Sequence, residues 1–494
     1  MVLLVAILVG YIAYKNYNKK DEKDENEVSQ VNTIATKEIE KKNTSKYEIK
    51  SKSLEDFDLS FLQLENERTN KVYSPLSIKY TLGMLNEGTS GSSKEQISSI
   101  IGNYAPSKYT NSKNLSFANG LFIRNTYKND IKDEYISHIS DKYNAEIIYD
   151  SFSNATNINS WIKNKTLNLI DNLVSDDDVN NLNFALVNAL AIDMDWKNKF
   201  LENSDTTCYF AHENYGWEAP QTVLTNNFKN IDHKVTGMEI IATINNYDII
   251  SDLGEDNIRK TVGEDYRKFI NDEMENSGKY SSYSGEVILT KDSTQEEIDN
   301  VVNDYLNSYI KEIKENYKMM EKNTDFSFYK DTSVTAFAKD LKEYNGTTLQ
   351  YVAIMPEEDL KNYIQNINAT SISKILNNLI DLKRENFKEG VITEIKGFIP
   401  KFKYEYQLDL VKDLKNMGVE DVFDEQKADL SGITNKKAYI GNAMHKANIE
   451  FTQDGIKASA ATLTGGRGGG SDFDHLYDVP IEKVNLTFDK PYMY

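Results

Sequence analysis

The sequence predicts a mixed α+β fold, and three features carry that expectation. Apolar residues recur at three- and four-residue spacing over Leu76–Leu85, and again over Ser160–Leu173, where Trp161, Leu167, Leu169, Ile170 and Leu173 follow a capping-type Asn159-Ser160 pair. Both segments are expected to be helices. Continuous or alternating apolar runs of strand length occupy Phe117–Ile123, Asn183–Ile192, Leu349–Met355 and Ile449–Phe451. The two kinds of segment are interspersed without strict strand-helix-strand alternation, which points to α+β rather than to a doubly wound parallel sheet.

Taken from the N-terminus, Val2–Val9 is an unbroken apolar run, extended by Tyr11–Tyr14 and followed at once by Lys15, Lys19 and Lys20. Such a run is shorter than the ~20 residues that span a bilayer, and no basic stretch precedes it. Residues 1–14 therefore read as a partial signal or membrane anchor whose start lies upstream, implying an extracytoplasmic protein, secreted or anchored at the cell surface. Lys15–Lys20 beside the run favour the opposite orientation by the positive-inside tendency. Residues 15–53, rich in Lys, Glu, Asn and Ser, read as a charged flexible tether. Residues 54–494 read as one globular domain interrupted by a helical insertion at 213–314. The insertion holds the charge-dense Asp256–Glu275, the Ser/Gly/Tyr-rich Ser277–Gly285, and Thr294–Lys318, which aligns Ile298, Val301, Val302, Tyr305, Tyr309 and Ile313 on one helical stripe.

Composition narrows the functional classes. Lys+Arg 57 against Asp+Glu 77 gives a formal charge of −20 over 494 residues, so a nucleic-acid binder would need a local basic face, and none is visible. Hydrophobic residues at 39% suffice for a core. The single cysteine, Cys208, excludes an internal disulfide framework and a four-cysteine zinc site. The chain has no phosphate loop, dinucleotide fingerprint or zinc-protease helix, so no enzyme, cofactor or metal is expected. Asp472, Asp474 and His475 read as a solvated acidic loop rather than a metal site.

Several segments, in order, resemble the serpin family. They begin with Asn70-Lys71-Val72-Tyr73-Ser74-Pro75-Leu76-Ser77-Ile78, then Gly88-Thr89-Ser90-Gly91 running to Glu95-Gln96-Ile97, then Ala118-Asn119-Gly120-Leu121-Phe122. Ile158-Asn159-Ser160-Trp161-Ile162 with Lys165-Thr166, and Leu186-Val187-Asn188-Ala189 with Trp196, follow. The series closes with Tyr317-Lys318-Met319-Met320, Tyr351-Val352-Ala353-Ile354-Met355-Pro356, Ile399-Pro400-Lys401-Phe402, Asp429-Leu430-Ser431-Gly432-Ile433 and Met444-His445-Lys446-Ala447. The resemblance covers residues 55–212 and 315–494. It implies three β-sheets, eight or nine helices and an exposed reactive loop near the C-terminus. It also implies a suicide inhibitor of serine proteases: the enzyme attacks the loop and forms an acyl intermediate through its own nucleophile, and the cut loop then inserts as a new strand into the central sheet. Such an inhibitor carries no catalytic residues of its own. The implied partner is a serine protease of trypsin, elastase or subtilisin type, met by a monomer.

Thr452-Gln453-Asp454-Gly455-Ile456-Lys457-Ala458-Ser459-Ala460-Ala461-Thr462 resembles the loop hinge of that family, a glycine followed by small residues. Small side chains slide into a closing sheet where bulky ones or proline would stall. Each newly paired residue adds about one ladder hydrogen bond, roughly 0.5–1.5 kcal/mol net, so about a dozen inserted residues gain on the order of 10 kcal/mol. That is comparable to the stability of a whole domain, about 5–15 kcal/mol. Ile456 departs from the Thr or Ser usual there and is expected to slow insertion. Family spacing puts the reactive bond at Gly469-Gly470, whereas chemistry favours Arg467-Gly468, whose guanidinium suits a trypsin-like pocket. Phe473, Leu476 and Tyr477 are further anchors for chymotrypsin-like enzymes. Ser74, Ser77, Asn188 and His445 match the region where the central sheet opens, and the resemblance implies a hydrogen-bond network joining His445 to Asn188.

A further departure lies at the end: the chain stops at Tyr494, where members of the family continue for about twenty residues that supply a last buried strand, and a fragment is the expectation. The alternative to inhibition is a non-inhibitory binding or adhesion protein on the same fold, its loop only a protease substrate and its insertion the recognition element.

Overall fold

A computed structural model of the chain describes residues 56–64, 69–102, 104–200, 205–211, 232–281, 286–319, 326–452, 454–456 and 480–494. Helices α1 (Asp56–Leu64), α2 (Pro75–Glu87) and α3 (Gly91–Ile101) lead into strand β1 (Leu115–Arg124). Helix α4 (Asp133–Tyr143) returns the chain to β2 (Ala145–Asp150), and α5 (Thr156–Lys165) and α6 (Asp176–Asn180) precede β3 (Phe184–Ile192) and its short continuation β4 (Met194–Asp195). After β5 (Asp205–Ala211) and β6 (Asp232–Asn245) come α7 (Ile249–Leu253), α8 (Glu255–Ser277), the hairpin β7 (Lys279–Ser281) and β8 (Val287–Thr290), and α9 (Gln295–Met319). The rest comprises β9 (Phe326–Lys330), β10 (Val334–Asp340), β11 (Gln350–Pro356), α10 (Leu360–Asn366), α11 (Ala369–Asn377), β12 (Ile380–Asp381), β13 (Ile392–Pro400), β14 (Phe402–Asp409), α12 (Leu410–Asn416), β15 (Met444–Phe451), β16 (Gly455–Ile456) and β17 (Ile481–Thr487).

The fold is α+β. Its central sheet runs β2-β1-β3, continues from β3 into β4, and resumes as β4-β16-β15-β14. Two four-stranded sheets, β11-β10-β9-β12 and β17-β13-β6-β5, complete the framework. Helix α2 is nucleated by Ser74, whose side chain accepts the Ser77 backbone N–H, with Pro75 at the first position where no donor is needed. It buries Ile78, Tyr80, Leu82, Met84 and Leu85 behind the sheet in a cluster that includes Phe117, Leu121 and Leu408. A second cluster, with Trp196, Phe402, Phe451 and Phe488 fully buried, joins the upper end of the central sheet to the other two sheets.

Two segments differ from their sequence expectation. The helix expected over Ser160–Leu173 spans Thr156–Lys165, because Leu167 and Asn168 adopt left-handed φ of 53° and 64° and turn the chain out of the helix. The Thr166 hydroxyl fixes that turn, donating to Ile162 O at 2.8 Å while accepting the Ile170 N–H at 3.1 Å. Within 213–314, β6 pairs with β13 over nine residues, so it is an inner strand of a framework sheet. The self-contained part starts at Ile249, where Ile258, Val262, Tyr266, Ile270 and Met274 of α8 close a separate core against Val302, Leu306 and Ile310 of α9. Residues 1–53 lie outside the described residues, and among the described residues no helix is long and apolar enough to cross a membrane.

Candidate functional site

The central sheet is split along its middle. β3 pairs with β1 on one edge, and β15 with β14 on one edge. Among the described residues the facing edges are bridged only at the top, where Ile456 is in register with Phe451 on one side and Met194 on the other, and Gly455 with Asp195. Both pairings are antiparallel, so Gly455–Ile456, which the family resemblance makes the start of the loop hinge, is a short rung seated between two parallel neighbours. Any further residues following that direction would satisfy donors and acceptors of both edges, which antiparallel geometry permits without a bulge.

Trp196 holds the turn ahead of Gly455. Its backbone N–H donates to Asp454 O at 3.0 Å and its indole Nε1–H to Thr452 O at 2.8 Å. The ring is fully buried, its centroid 5.5 Å from that of Phe451 in an edge-on contact. Lys199 Nζ lies 2.7 Å from an Asp454 carboxylate oxygen. On the opposite side of β4, Lys342 N–H donates to Asp195 O at 2.9 Å and Lys342 Nζ pairs with the Asp195 carboxylate at 3.0 Å.

Lower down, the expected network is present as two separate parts. His445 Nε2 accepts the Ser74 N–H at 2.9 Å, so in the neutral ring the proton sits on Nδ1. Burial pushes the His445 pKa down from 6.5 to about 4. Ser77 donates its N–H to Ser74 Oγ at 3.1 Å, which ties His445 to the start of α2. Across the split, Asn188 Nδ2 donates to Asn119 Oδ1 at 2.7 Å, and Asn119 Nδ2 to Tyr143 O at 2.7 Å. Asn188 Oδ1 is buried with no hydrogen-bond partner among the described residues. No hydrogen bond joins His445 to Asn188 among the described residues, because β3 and β15 stand apart at this level. Ser74, Ser77 and His445 are thus brought together, and Asn188 is held with Asn119, which sequence reasoning had not singled out. Its signal was a polar residue inside an otherwise apolar strand.

Helix α5 and the segment after it cross the front of the split. Ile158 and Ile162 pack with Phe122 of β1 and Val187 of β3, and the Trp161 ring lies so near Gly120 that a Cβ there would sit 3.1 Å from it. Asn159 pins the returning chain, its Oδ1 accepting the Leu173 N–H at 2.9 Å and its Nδ2 donating to Val174 O at 2.8 Å. From this strap, Leu169 O accepts Asn448 Nδ2 and Asn172 O accepts Lys446 Nζ, each at 3.3 Å. One end is therefore packed on the β1–β3 half and the other bonded to β15.

Lys457, Ala458, Ser459, Ala460, Ala461 and Thr462, and both candidate reactive bonds, Gly469-Gly470 and Arg467-Gly468, lie outside the described residues. No group of His, Cys, Asp or Glu among the described residues is placed to hold a metal.

The family described as Serpin (serine protease inhibitor) matches residues 54–241 and 291–494. The chain belongs to the serpin family. Serpin B7 of Homo sapiens is similar over a short stretch, 34% identical over 120 residues, which is 24% of this chain and 29% of that protein. Leukocyte elastase inhibitor of Homo sapiens is 23% identical over 466 residues, 88% of this chain and 92% of that one. The crystal structure of tengpin, a thermophilic serpin, in its native state superposes with a TM-score of 0.54 at 19% identity, covering 88% of this chain and 87% of that one. Serpins are as a class protease inhibitors rather than enzymes, and this serpin departs from the matched family over residues 242–290, within which α7, α8 and the β7–β8 hairpin fall.

Proposed function

We propose that this serpin inhibits serine endopeptidases by offering its loop as a suicide substrate and inserting the cut loop between β3 and β15. The observation that carries the reading is the hinge dipeptide Gly455–Ile456, already paired on both sides at the top of a split sheet. Continued in the same register, the loop would bring Ala458 between Ile192 and Ile449, Ala460 between Leu190 and Ala447, and Thr462 between Asn188 and His445. The Thr462 hydroxyl would then meet the unpaired Asn188 Oδ1, and a buried acceptor without a partner costs about 1–3 kcal/mol that such a donor recovers.

Within this reading the protease cuts at Gly469-Gly470 or Arg467-Gly468, the inhibitor acts as a monomer, and the apolar run Val2–Val9 supports a position outside the cytoplasm. Mixing the protein with trypsin, elastase, subtilisin and chymotrypsin tests it. An SDS-stable complex with at least one of them is expected, with the cut bond located by mass spectrometry. Clean loop cleavage with every protease left fully active would instead make the protein a substrate and favour a binding role.

A further inference from the structure

We propose that Lys199 is a positioning residue for loop insertion: its ion pair with Asp454 keeps Gly455–Ile456 seated in the sheet of the uncut protein. The inference rests on the insertion reading above and deepens it.

Three of the contacts on the turn that leaves β15 for the slot join described residues. Two come from Trp196 and reach only main-chain oxygens, those of Thr452 and Asp454. The third, Lys199 to Asp454 at 2.7 Å, reads a side chain, and it is a tie that charge can make or break. Its two ends belong to opposite halves of the split sheet. Lys199 follows β4 by four residues and moves with the β3 half, whereas Asp454 follows β15 by three. The pair therefore spans the upper end of the slot. Asp454 is largely covered, its side chain 16% exposed, while Lys199 is 56% exposed, so the carboxylate is partly stripped of water and depends on the ammonium more than a fully solvated partner would.

The consequence is kinetic. With the dipeptide held, the first rungs of the new strand exist before the protease arrives, and insertion propagates from a formed end. Without the ion pair the hinge leaves the slot more often, the strand must nucleate after the cut, and the acyl-enzyme has longer to hydrolyse.

Hydrogen exchange at the Gly455 and Ile456 amides, followed by mass spectrometry on the full chain without protease, tests this. Wild type, Lys199→Ala, Asp454→Asn and the swap Lys199→Asp with Asp454→Lys are compared, with peptides from β14 as the internal check of folding. Protection at the two amides should fall about 3–5-fold in the single variants and return in the swap. Lys199→Met carries the same comparison should Asp454→Asn fail to fold. Hinge amides unprotected in wild type, protection unchanged in the single variants, or no recovery in the swap would each overturn the assignment. Exchange reads hinge docking alone, so failure to trap any protease would sink the inhibitory reading and leave this result standing.

Discussion

His445 makes one pH dependence predictable from a single side chain. Its folded pKa of about 4 lies below the ordinary 6.5, so the unfolded chain takes up the proton first as pH falls. The stability this group contributes is complete above pH 6.5 and is lost as pH drops toward 4, by about 3 kcal/mol. Protonation also costs Nε2 its role as acceptor for the Ser74 N–H. Thermal midpoints measured from pH 7 to 4.5 should fall more steeply for wild type than for His445→Asn, and parallel curves would remove His445 from this role. That His445, Ser74 and Ser77 meet was legible from motifs alone. That Asn188 pairs with Asn119 rather than with His445 was not, because residue types do not say which strands are in contact and which are parted.

Among the elements, the strap from Thr166 to Val174 is a removable restraint on the split. Each of its bonds to β15 is worth roughly 0.5–1.5 kcal/mol, so removing both with Asn448→Ala and Lys446→Met should speed annealing of a synthetic Lys457–Gly466 peptide into the sheet, by about 5–100-fold. An unchanged rate, read by native gel, would show that the strap does not limit opening. A loop inserting as proposed would tolerate no proline, which lacks the N–H a central strand must donate. Replacing Ala458 or Ala460 by Pro should abolish the covalent complex while loop cleavage continues, and an SDS-stable complex in either variant would refute insertion. At this scale periodicity served where one face dominates, as in α2 and α9. It overran at Lys165, where two left-handed residues end α5 with no sequence breaker, and it passed over α8, whose apolar stripe is interleaved with charges.

At the scale of the molecule, the helical segment from Ile249 to Met319 encloses its own core, so its packing does not depend on strand insertion. The serpin framework was legible because its motifs mark sheet strands and their supporting helix in a fixed order. The split state of the central sheet was not, since both states use the same residues and differ only in which edges pair. On the insertion mechanism proposed above, closing the split would pair edges that stand apart among the described residues and give Asn188 Oδ1 a neighbour, which would place the cut form well below the intact one. The thermal midpoint of the protein before and after limited cleavage at Arg467-Gly468 or Gly469-Gly470 measures this directly. A rise of tens of degrees is the result expected from about 10 kcal/mol of new pairing. A midpoint that stays put or falls after the cut would mean that nothing was stored in the uncut sheet, and the inhibitory mechanism would have no driving force.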